Sequence, residues 1–139
     1  MATPRDKYAL MSFLRMRHDD VARGKPKLGS ITPDGALVYV EFSLTPAPSA
    51  HWCEQLAAAA RGTVMEGRCT CKANKLTLET TEEELDSDVQ RLDALLKEAN
   101  GRYAAQIAQA KAELDVLRQT ESTDQDAKAR LQERLRKLR

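Results

Sequence analysis

TEEELDSDVQRLDALLKEANGRYAAQIAQAKAELDVLR, residues 81–118, is the stretch from which the fold is read. Its large apolar positions, Leu85, Val89, Leu92, Leu96, Ala99 and Tyr103, alternate in steps of four and three, the seam of a heptad helix. The seam continues through Ile107, Ala110, Leu114 and Leu117 after one extra step of four between Tyr103 and Ile107, a stutter. No proline interrupts the stretch, and Gly101 is its one weak helix former. At 1.5 Å per residue it predicts a helix of about 55 Å, longer than a small domain covers. Part of the seam therefore needs another helix, from a second copy, from the chain's own C-terminus or from a partner.

Working outward, Thr80 or Thr81 is positioned to cap this helix, with Glu83 or Glu84 completing a capping box. Upstream lie two hairpin patterns. Thr32-Pro33-Asp34-Gly35 joins a short strand, 27–32, to a longer one, 36–44, in which Val38, Val40, Phe42 and Leu44 share a face. The second pattern runs from Thr63 to Cys71, turns at Lys72-Ala73-Asn74-Lys75 and returns through Leu76 and Leu78. Between the hairpins, Ser49 caps a helix that buries Trp52, Leu56, Ala59 and Ala60 and stops at Gly62. At the start, Thr3-Pro4-Arg5-Asp6 resembles a helix entry, and Gly24 and Pro26 an exit. A strand over 8–17 competes with that first helix; the helix is preferred. Downstream, Gln119–Asp126 is polar, and Ala127, Leu131, Leu135 and Leu138 suggest a last buried helical face. With no Gly or Pro there, folding back as a helical hairpin and continuing as one rod both stay open.

The composition sets outer limits. With 42% hydrophobic but only 4% aromatic residues, the chain suits a modest core with a helix-rich extension. A net charge of +1 gives no general attraction to nucleic acid or anionic membranes. The local clusters, acidic over 82–88 and basic over 128–139, complement a helix dipole. No apolar run approaches the roughly 20 residues that span a bilayer. The N-terminus lacks the apolar core of a secretory signal, and three cysteines suit a reducing compartment, so a cytoplasmic location is expected.

Motifs for chemistry are sparse. His51-x-Cys53 points to opposite sides of a helix, and Cys69-x-Cys71 sits in a strand rather than a knuckle, so core cysteines are expected in place of zinc. Cys53 near a helix start lacks a facing base, because His51 points away. His18-Asp19-Asp20 reads as a solvated charged run. Gly24 and Gly29 have the separation of a phosphate loop, but Pro26 interrupts it and the lysine expected after Gly29 is absent.

The expectation is therefore an α+β protein, with a small antiparallel sheet of two hairpins packed by helices over residues 1–80. A C-terminal helix or helical hairpin of coiled-coil type follows over 81–139. A non-enzymatic regulatory adaptor is expected, without cofactor, metal or small-molecule substrate, pairing as a homodimer or with a helical partner. Leu85, Val89, Leu92, Leu96, Tyr103, Ile107, Leu114 and Leu117 are the partner-binding positions. The alternative is a nucleic-acid-associated protein whose Arg130, Arg134, Arg136 and Lys137 contact phosphates.

Overall fold

The computed structural model describes residues 7–138. In chain order the elements are α1 (Lys7–Arg15), β1 (Ala22–Arg23), β2 (Lys27–Ile31), β3 (Val38–Thr45), α2 (Ala50–Ala60), β4 (Cys69–Lys72), β5 (Lys75–Thr80) and α3 (Leu85–Lys137). The protein is α+β, with a small antiparallel sheet, flanking helices and a long C-terminal helix. It divides into two compact units, one of Arg17–Ala105 and one of the residues up to Met16 together with those from Gln106 onward. α3 belongs to both, and the division falls within the stutter step from Tyr103 to Ile107.

In the larger unit β3 is the central strand, pairing β5 along one side and β2 and β1 along the other. The turn before it forms as the residues dictate. Gly35, at φ 70°, donates its N–H to the Thr32 carbonyl at 2.8 Å, and Asp34 accepts from the Thr32 hydroxyl and the Ala36 N–H. The register puts Val40 opposite Leu78 and Phe42 opposite Leu76, so the apolar alternation of both strands shares one face, the core face. Its core residues Val40, Phe42, Leu44, Leu76 and Leu78 are buried, as are Trp52 and Leu56 of α2 and Leu92, Leu95, Leu96 and Ala99 of α3. The opposite face is polar: the Tyr39 hydroxyl donates to Glu79 at 3.1 Å, and Lys75 pairs with Glu41 at 2.9 Å.

A one-residue bulge at Gly29 changes what β2 presents. Leu28 lies opposite Val40 and Ile31 opposite Val38, so two residues three apart both belong to the core face. Glycine is required there: a Cβ would sit 2.9 Å from Glu41 Cγ and 3.0 Å from the Tyr39 carbonyl oxygen.

α2 starts and stops as expected. Ser49 accepts the Trp52 N–H at 3.2 Å, and beyond the last turn Gly62 takes φ 78°. Elsewhere the elements differ from the pattern. The strand expected from Thr63 begins only at Cys69, because residues 63–68 form successive turns. Gly67 at φ 74° and the Thr63 hydroxyl, which donates to the Ala60 carbonyl and accepts the Met65 N–H, hold that course. Met65 is still buried, from a turn rather than a strand. The first helix ends at Arg15 instead of near Gly24, since Ala22–Arg23 is taken up as a strand beside Leu44 and Thr45. Its expected cap at Thr3 to Asp6 lies outside the described residues.

In the smaller unit, Lys7 of α1 pairs with Glu121 of α3 at 2.9 Å. Leu10, Phe13 and Leu14 of α1 and Ala110 and Leu114 of α3 are buried. α3 runs unbroken through the polar stretch 119–126. Thr120 and Thr123 turn their hydroxyls back to the carbonyls of Val116 and Gln119, at 3.0 and 2.9 Å, so they satisfy the helix instead of capping a new one.

Candidate association surfaces

The heptad positions of α3 separate by burial. Leu92, Leu96, Tyr103 and Leu114 are buried within a single copy, whereas Leu85, Val89, Ile107 and Leu117 are half-buried. The first four are therefore core residues, and a partner reaches only the second group without unpacking the chain. Tyr103 shows why an aromatic suits its position. Its ring stacks on His18 with centroids 4.7 Å apart, and its hydroxyl accepts from the Ser49 hydroxyl at 3.3 Å.

Past Leu117 the helix is exposed apart from the half-buried Ala127. Leu131, Leu135 and Leu138, expected to be buried, are 57%, 65% and 72% exposed. They form a stripe on one side of the helix, in steps of four and three. On either flank of it are cations. At about 100° per residue, Arg134, Arg130 and Lys137 lie on one flank, and Lys128 and Arg136 on the other with Gln132 between them. Glu133 sits on the far side and pairs with Arg136 and, at 3.9 Å, with Lys137. The four residues named as phosphate contacts, Arg130, Arg134, Arg136 and Lys137, are all exposed.

A second surface lies in the larger unit, where Leu85 and Val89 line a groove of about 610 Å³ with Leu28, Val38 and Val40. Lys27 on the strand side and Asp86 and Gln90 on the helix side form its polar edge. Leu28 and Ile31 are 64% and 53% exposed although the bulge turns both to the core face, so this end of the sheet is left uncovered.

Three polar arrangements hold the larger unit. Asp88 is a carboxylate with a fully buried side chain. It accepts from the Thr80 hydroxyl at 2.6 Å, from Arg91 at 2.7 Å and from Arg68. Burial pushes its pKa up, but the bonds from Thr80, Arg91 and Arg68 and the charge of Arg68 outweigh this and hold it below the ordinary carboxylate value. Asn100 bonds through both the oxygen and the nitrogen of its amide. Its oxygen accepts the Val21 N–H at 2.9 Å and the Trp52 indole N–H at 2.8 Å, and its nitrogen donates to the Val21 carbonyl at 3.0 Å. His18, with Nδ1 2.8 Å from the Asp19 carbonyl oxygen, leaves Nε2 to accept the Ser49 N–H at 2.9 Å, which selects the Nδ1-protonated tautomer.

Neither Asp88 nor Asn100 stands out from the sequence as a site. A signal exists for Asp88: it shares the helical row of Leu92, Leu95 and Ala99, so one acid of the 82–88 cluster falls on the buried face.

The cysteines behave as core residues, all three half-buried thiols. Burial raises Cys69 to about 11, with Arg68 opposing and Asp88 assisting, and burial together with the neighbouring Cys53 raises Cys71 to about 12. Thiols held that high are protonated near neutrality and are poor nucleophiles and ligands. Among the described residues no group of three or more His, Cys, Asp or Glu is arranged to hold a metal ion. No helix among them is long and apolar enough to cross a membrane. Compared with known proteins, the chain matches no family, no curated protein and no solved structure.

Proposed function

We propose that this protein is a non-enzymatic cytoplasmic adaptor that acts by self-association through the C-terminal end of α3. The observation that carries the reading is the stripe of Leu131, Leu135 and Leu138, more than half exposed in a single copy on a helix whose other large apolar residues are mostly covered. Three leucines at heptad spacing gain burial only from another helix or an apolar groove. The test is the double substitution Leu131→Asp and Leu135→Asp. Both side chains are exposed, so the emission of the buried Trp52 and the helical circular dichroism should be unchanged while the mass by light scattering falls from a dimer to one chain. An unchanged mass refutes the reading. Substituting Leu92 and Leu96 would not serve, because both are core residues and their loss unfolds the larger unit.

The exposure of Arg130, Arg134, Arg136 and Lys137 favours a second reading, phosphate contact with nucleic acid. It predicts binding that weakens steeply with salt and is lost on removal of residues 128–139. Absence of binding to single- or double-stranded nucleic acid at low salt ends it.

A further inference from the structure

We infer that the groove between β2 and the start of α3 in one copy receives the leucine stripe of α3 from a second copy. This rests on the self-association reading above and names the surface that receives the stripe. The groove is a stretch of core face without a covering helix, and beside it the Gly29 bulge keeps Leu28 and the exposed Ile31 on the same side. It is lined by aliphatic side chains and no aromatic ring, which suits leucine. The lengths agree. β2, five residues long, spans about 17 Å. The helix from Ala127 to Leu138 rises by a similar amount, about 17 Å.

Charge fixes which way the incoming helix lies. On the α3 side Asp86 lines the groove and is exposed, and the exposed Glu82 and Glu83 form the turn that leads into Leu85, itself a lining residue. The flank of the stripe formed by Arg130, Arg134 and Lys137 is their complement. The other flank, with the uncharged Gln132 at its middle, then lies toward β2, where Leu28 faces the groove and Lys27, opposite Glu41 in the register, belongs to the polar face of the sheet.

The test uses two full-length variants and a mixture. Glu83→Lys with Asp86→Lys reverses the groove edge, and Arg130→Glu with Arg134→Glu reverses the stripe. Each variant alone should self-associate about tenfold more weakly than the unaltered chain, as expected for the loss of two surface charge contacts and their reversal. Mixed together, the two form complementary pairs at both contacts and should recover the original affinity as a heterodimer. Trp52 emission in each confirms that the larger unit remains folded. Recovery in the mixture supports the assignment. If the groove variant associates as well as the unaltered chain while Leu131→Asp with Leu135→Asp does not, the groove assignment falls and self-association stands. The groove is likewise ruled out if both charge variants weaken but the mixture does not recover. A monomeric unaltered chain overturns the assignment and the reading beneath it, leaving the groove to a different protein.

Discussion

Replacing Asp88 with alanine should destabilise the larger unit by about 3 kcal/mol at neutral pH, most of it from bonds left unmade. Thr80 is 1% exposed, and without Asp88 its hydroxyl keeps only the Thr81 carbonyl at 3.4 Å, so a buried donor is left nearly unpaired at a cost of about 1–3 kcal/mol. Arg68 loses a charge-assisted bond but is a quarter exposed, and it keeps bonds to the carbonyls of Glu79 and Val64 at 3.1 and 3.3 Å. Solvent and those bonds limit its share to about 1 kcal/mol. Urea denaturation followed by Trp52 is the assay, because Trp52 is the sole tryptophan, fully buried and in the same unit. A folded-state pKa held below the ordinary value gives stability that is present above the unfolded pKa of about 3.9 and is lost as pH falls through the folded value. The gap between the unaltered chain and Asp88→Ala should thus be constant above about pH 5 and narrow below about pH 4. With Thr80→Val already in place the alanine substitution should cost about 1 kcal/mol less, since no hydroxyl is orphaned. A loss below about 1 kcal/mol at neutral pH, or a gap that persists in acid, refutes the account of Asp88 as the buried hub.

Asn100→Ala should cost about 2–3 kcal/mol, because it leaves the Trp52 indole N–H and the Val21 N–H without their acceptor. Faster amide exchange at Val21 and a shifted Trp52 emission check it, and normal protection at Val21 contradicts it. Alkylation with iodoacetamide at pH 8, read peptide by peptide in the mass spectrometer, should label Cys69 and Cys71 at least about a hundredfold more slowly than a model thiol. Labelling of either at the model rate removes burial as the control on its ionisation.

How much of the fold is legible in the sequence depends on whether the deciding chemistry is local. The hairpin from Lys27 to Leu44 is announced by Thr32-Pro33-Asp34-Gly35, whose backbone preferences need no distant partner. α2 is bracketed in the same way by Ser49 and Gly62, and α3 as far as Leu117 follows from its heptad seam, whereas its continuation to Lys137 is left open by the sequence. Residues 63–68 mislead because their alternation imitates a strand while Gly62, Gly67 and the Thr63 hydroxyl make a chain of turns. The end of α1 is set by contacts far along the chain: Val21 is held by Asn100 and Ala22 pairs with Thr45. No local pattern carries that information. The heptads of α3 mark its apolar side but not which part of that side the chain covers for itself. The seam residues nearest the sheet are used up by the chain's own core, and the polar run 119–126, with no Gly or Pro, carries the helix on and leaves Leu131, Leu135 and Leu138 open. The Gly29 bulge, which puts Leu28 and Ile31 on one face, depends on a one-residue mismatch between strands that a single strand's alternation does not reveal.

The most direct check is the mass of the unaltered full-length chain by sedimentation equilibrium across a dilution series. Joining through the exposed leucines predicts a reversible shift between 15.5 kDa and twice that value as concentration rises. A constant 15.5 kDa at every concentration would mean that the leucine stripe holds no second copy.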